Sequence, residues 1–79
     1  MIVNVKLFAS ARERACADSV ALIVSSPATL SYLRKLMDET VPALRGVSGR
    51  WAVNLEFAPD DYVVQMNDEV VWIPPVSGG

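Results

Sequence analysis

Gly78 and Gly79, the last two residues, have the chemistry that folding alone explains least. Glycine has no side chain to shield its carboxyl group. The Gly79 carboxylate can therefore enter a narrow partner channel and be activated there as an acyl group. The competing reading is a frayed chain end, which is commonly small and mobile. Other candidate chemistry is sparse. Cys16 is the single cysteine, and there is no histidine to activate it, so a buried or neutral thiol is expected. The lack of histidine also excludes Ser-His-Asp and Cys-His nucleophilic schemes. No Cys/His cluster has zinc-ligand spacing. Asp60-Asp61 and Asp68-Glu69 are acidic pairs of the kind that serve as acid and base or bind a hard cation. Both fall at predicted turns, where solvated carboxylates are routine. Gly46-Val47-Ser48-Gly49 is too short for a phosphate loop and lacks the lysine that would follow.

The elements that must position the tail follow from hydrophobic periodicity. Met1 to Ala9 reads as a strand with Val3, Val5, Leu7 and Ala9 on the core face and Phe8 pointing away. Ser10 to Ala15 reads as a connector with room for a helical turn, its Arg12, Glu13 and Arg14 in water. Ser19 to Val24 is a second strand, close enough to hairpin onto the first. Thr29 is placed to cap a helix from about Leu30 to Thr40. Leu30, Leu33, Leu36, Met37 and Val41 recur there at helical spacing, and Pro42 ends the helix. Trp51 to Phe57 reads as one strand, followed by a turn over Ala58 to Asp61. Tyr62 to Met66 is a short strand or extended piece, and Asn67 suits a tight turn. Val70 to Ile73 is the last strand, stopped by Pro74-Pro75. The order β-β-α-β-β, with a possible fifth short strand, predicts an α+β fold in which one helix packs across one face of a small sheet. Residues 1–75 form the domain and 76–79 a flexible tail. If Val70 and Trp72 point inward, Val71 and Ile73 point outward. Phe8, Phe57 and Ile73 then make an exposed apolar patch beside the root of the tail, the kind of surface that marks a partner site.

Composition narrows the class further. With 79 residues, 52% of them hydrophobic, the chain makes one domain with a core that needs neither metal nor disulfide. A net charge of −2, with Lys6 and Lys35 the only lysines, argues against nucleic-acid binding. One thiol suits a reducing, cytoplasmic setting. No apolar run is of membrane-spanning length, and Asn4 and Lys6 interrupt any signal-peptide pattern.

The run Asp68-Glu69-Val70-Val71-Trp72-Ile73-Pro74-Pro75-Val76-Ser77-Gly78-Gly79 resembles the end of the small subunits of molybdopterin synthase, the MoaD-like sulfur carriers. Phe8-Ala9-Ser10-Ala11-Arg12-Glu13 is similar to that family's first strand and connector. The resemblance spans essentially the whole chain and implies a ubiquitin-like β-grasp fold. It implies that an ATP-dependent enzyme of the ubiquitin-activating type adenylates Gly79, and that a sulfur donor protein converts the adenylate to a thiocarboxylate. The large synthase subunit would then receive the tail in an assembly of two small and two large subunits, and the sulfur would pass to cyclic pyranopterin monophosphate. Phe8, Phe57 and Ile73 look like the family's docking positions, with Pro74, Pro75, Val76, Ser77 and Gly78 leading to Gly79. No cofactor is implied within the chain, and no catalysis by the chain alone. Asn67 stands where the family usually carries glycine. Carriers of the thiamin thiazole and tRNA thiolation branches, and ubiquitin-like protein modifiers, share the fold and the tail and remain alternatives. Four residues beyond Pro75 reach about 13 Å at roughly 3.3 Å each, enough to enter a buried pocket.

Overall fold

Alternation in the sequence becomes a half-buried strand. In the computed structural model, which describes residues 1–25 and 27–75, strand β1 (Ile2–Leu7) buries Val3, Val5 and Leu7 and exposes the residues between them. Strand β2 (Ser19–Ile23) pairs with it antiparallel, Ile2 opposite Ile23 and Lys6 opposite Ser19. Helix α2 (Leu30–Thr40) has the predicted bounds. The Thr29 hydroxyl accepts the Tyr32 N–H at 3.2 Å, and the carbonyls of Tyr62 and Asp60 accept the N–H groups of Leu30 and Ser31 at 3.0 and 2.9 Å. The free donors of the helix N-terminus are thus satisfied. Leu30, Leu33 and Met37 bury the stripe, with Leu36 and Val41 at its margin. Pro42 ends the helix and opens a 3₁₀ turn, Pro42–Leu44.

The remaining strands are β3 (Arg50–Val53), β4 (Glu56–Ala58) and β5 (Val70–Ile73), and the sheet order is β2-β1-β5-β3-β4. The last strand therefore lies in the middle, parallel to β1 and antiparallel to β3. One sheet face carries the core: Val3, Val5, Leu7, Val20, Leu22, Val70 and Trp72 meet the α2 stripe. Trp51 and Trp72 pack edge to face, their centroids 4.8 Å apart. Each fully buried leucine in such a core contributes roughly 1.5–3 kcal/mol.

Three expectations change. Ser10 to Ala15 is more than a connector: α1 (Ala9–Ala15) is a second helix, ended by Cys16 in the left-handed conformation at φ 54°. Only Ala11 of it is buried, so there was no apolar stripe to read. Ala9 is exposed at the start of this helix and does not extend the core face of β1. Finally, Trp51 to Phe57 is a hairpin and not one strand. Val53 pairs with Glu56 across a two-residue turn in which Asn54 and Leu55 both have positive φ, 53° and 72°. That is the turn whose twist suits adjacent strands. Val63 makes a single bridge to Thr29, so the Tyr62 to Met66 segment is the extended piece.

Candidate functional site

The face of the sheet opposite the helices gathers the predicted patch. Val71 and Ile73 of β5 point there because Val70 and Trp72 point into the core. A shallow cavity of about 220 Å³ is lined by Phe8, Ala52, Leu55, Phe57, Glu69, Val71 and Ile73. Phe8, Phe57 and Ile73 are thus brought together. A second cavity of about 360 Å³ adjoins it, lined by Phe57 and Ile73 again and by Ser48, Gly49, Arg50, Pro74 and Pro75. The two share residues, so one continuous apolar surface runs from Phe8 to the prolines. Phe57 is 60% exposed, with the Arg50 guanidinium 3.7 Å above its ring. That cation–π contact orients the ring without covering its other face.

The prolines divide their work. The Pro74 side chain is fully buried and anchors the end of β5 in its own domain, while Pro75 is exposed. Val76, Ser77, Gly78 and Gly79 lie outside the described residues. The exit is shaped by Gly49, where an added Cβ would stand 2.7 Å from the Ile73 carbonyl oxygen and 2.8 Å from the Trp72 ring. Arg34 holds the loop before it. Its guanidinium donates to the carbonyls of Val47 and Leu44 at 2.8 and 2.9 Å, pairs with Asp38 at 3.0 Å and lies 4.6 Å from the Trp72 ring centroid.

Sequence reasoning missed Leu55, which is 89% exposed at the rim of the patch. Asn54 was the available signal, since asparagine adopts positive φ more readily than most residues. Cys16, expected buried or neutral, is exposed; it caps the C-terminal end of α1, and its thiol donates to the Glu13 carbonyl at 3.6 Å. Of the acidic pairs, Asp68 has a structural task. Its carboxylate accepts the Gln65 N–H at 2.8 Å and the Asn54 side-chain amide and Tyr62 hydroxyl at 2.9 Å each. The Gln65 N–H above all, then Asn54, holds the carboxyl below its usual pKa, and donation to Asp68 makes the Tyr62 phenol harder to ionise. Asn54 also exchanges hydrogen bonds with the Glu69 backbone at 2.9 and 3.0 Å, tying the β3–β4 turn to the start of β5. The Asn67 turn takes positive φ, 72°, as expected.

A mixed sheet wrapped on a long helix, with the C-terminal strand central and an apolar face at its exit, defines a ubiquitin-like β-grasp protein. The family model of ThiS matches residues 5–79, and the chain belongs to the ThiS family. It is 38% identical over 82 residues to the molybdopterin synthase sulfur carrier subunit of Arabidopsis thaliana, covering 98% of this chain and 82% of that one. Small archaeal modifier protein 1 of Haloferax volcanii superposes with a TM-score of 0.84 at 27% identity, over 95% of this chain and 98% of that one. Subunit 1 or 2 in the complex of the molybdopterin-converting factor of Helicobacter pylori shares the fold, with a TM-score of 0.70 at 21% identity over 100% of both chains. Among the described residues, no helix is long and apolar enough to cross a membrane.

Proposed function

We propose that this chain is the sulfur-carrying subunit of a molybdopterin synthase. The observation that carries the reading is the unbroken apolar surface from Phe8 to Pro75 at the base of a diglycine tail. It occurs in a chain 38% identical to a sulfur carrier subunit of that enzyme. A carboxylate is a poor electrophile, so sulfur cannot displace its oxygen directly. In the proposed sequence the Gly79 carboxylate attacks the α-phosphorus of ATP and pyrophosphate leaves. The terminal sulfur of a donor protein's persulfide then attacks the acyl carbon and AMP leaves, taking one carboxylate oxygen. A second thiol attacks the donor's own sulfur in the resulting acyl disulfide, forming a disulfide with the donor and releasing the thiocarboxylate. An activating enzyme of the ubiquitin type supplies the first step and a donor protein the second. A large synthase subunit receives the tail and passes the sulfur to cyclic pyranopterin monophosphate. Phe8, Leu55, Phe57, Ile73 and Pro75 dock the domain, Pro74 fixes the exit, and Val76 to Gly78 thread the channel. The catalytic acids and bases belong to the partners.

Intact-mass spectrometry tests this. Incubation with the activating enzyme, ATP and a sulfur source should raise the mass by the difference between one sulfur and one oxygen atom. No gain, or a gain that survives deletion of Gly79, overturns the reading. Likeness to a small archaeal modifier protein supports a second one, in which the same activated glycine joins lysines of other proteins. Conjugates of higher mass on a gel would favour it. A carrier for the thiamin thiazole or tRNA thiolation branch would be told apart by the large protein that co-purifies.

A further inference from the structure

The sheet has two edges, and they differ. Strand β4 is three residues long and includes Glu56. Brevity and charge are common protections of an edge. Strand β2 is five residues long, Ser-Val-Ala-Leu-Ile, and carries no charge, proline or glycine. Its register with β1 runs unbroken, so no bulge turns it away.

The hydrogen bonds at its two ends settle which backbone groups face outward. Met1 and Val24 exchange bonds at 2.6 and 2.9 Å, and the Leu7 N–H donates to Asp18 at 2.9 Å. Antiparallel pairing alternates. Val20 and Leu22, which oppose Val5 and Val3, therefore spend their N–H and C=O groups on β1. Ser19, Ala21 and Ile23 point theirs off the edge of the sheet. Among the described residues, none of the backbone bonds outside helices and strands involves these three.

We infer that β2 is a self-association edge, on which a second copy of this chain pairs antiparallel about a two-fold axis through Ala21. A two-fold operation places residue i of one copy against residue j of the other with a constant sum. Centring on Ala21 sets Ala21 against Ala21 of the second copy and Ser19 against Ile23. This is the register that uses all three outward residues at once, so each copy donates from each of them and accepts at each. Moving the axis by one hydrogen-bonded step leaves one of the three without a counterpart in the strand. Side-chain chemistry suits the arrangement. The residue that must oppose itself is the small, exposed Ala21, and no charge in the strand repels its image. Ile23, 79% exposed beside the 65% exposed Ile2, gains a neighbour on the open face. An extended foreign peptide has no reason to match this symmetry. The pairing leaves the tail free, because β1 separates β2 from β5.

Self-opposition gives the test. Ala21→Lys and Ala21→Glu change an exposed side chain whose backbone bonds face away from β1, so both should fold. Each alone places two like charges face to face. Association of the wild-type chain is followed by sedimentation, and amide exchange at Ser19, Ala21 and Ile23 across a concentration series. Expected is protection of these three amides that grows with concentration, a loss of up to about fivefold in association for either variant alone, and recovery when the two are mixed in equal amounts. Three results would each overturn the inference. They are a wild-type chain that stays monomeric with concentration-independent exchange at the three amides, variants that associate as well as wild type, and a mixture no better than its components.

Discussion

Leu55 offers a perturbation whose effects on stability and on docking should have opposite signs. It occupies the second turn position of the β3–β4 hairpin at φ 72°, where a side chain meets the following carbonyl. That conformation costs a non-glycine residue roughly 1–2 kcal/mol. Leu55→Gly removes this strain and returns about 0.5–1 kcal/mol as the larger entropy glycine loses on folding. Because the side chain is 89% exposed, little burial is forfeited. The net is a stabilisation of roughly 0.5–1 kcal/mol, or about 2–8 °C in Tm for a domain of this size. The same side chain rims the apolar surface proposed above for docking. If a partner covers it, its loss removes about 1.5–3 kcal/mol of burial, a weakening of Kd by about tenfold to a hundredfold. Calorimetric unfolding reads the first effect, and titration against the large synthase subunit reads the second. A lower Tm would refute the strain argument. A raised Tm with unchanged affinity would remove Leu55 from the interface.

Further outcomes follow from the hydrogen-bonded turn and the packed exit. Asp68→Asn should destabilise the chain by roughly 1 kcal/mol at neutral pH, a value kept small because the site is partly exposed. The folded-state pKa of Asp68 is lowered, so its contribution is present above the unfolded carboxyl value near 4 and is lost as pH falls through the folded value. The gap between wild type and variant in denaturant midpoint should therefore close below about pH 4, and a gap independent of pH would contradict the assignment. Gly49→Ala sets a methyl against the backbone of Ile73 as well as the Trp72 ring, and backbone cannot rotate aside. A loss of about 1–3 kcal/mol is expected in urea unfolding, and an unchanged midpoint would mean the exit loop is looser than described.

Much of this architecture was legible because burial imposes periods. Val3, Val5 and Leu7 announce β1, and Thr29 with Leu30, Leu33 and Met37 bounds α2 to the residue. The outward direction of Phe8 and Ile73 followed from the same two-residue period. What escaped lacked a period. Helix α1 buries only Ala11, and its capping residue is Cys16, not the usual glycine. The hairpin hid within an apolar run because Leu55 occupies a position that normally advertises itself with glycine. Chemistry read from Asp68-Glu69 as a pair dissolved once Asp68 proved committed to Gln65, Asn54 and Tyr62. Those partners are distant or unremarkable in sequence.

The central place of β5 has a mechanical consequence. A strand that ends in the tail and is bonded on both flanks, parallel to β1 and antiparallel to β3, takes any pull on the C-terminus in shear. Rungs loaded this way must break together, whereas a strand peeled from an edge loses them one at a time. A pull along β5 is therefore shared by every rung on both of its flanks before any one of them yields.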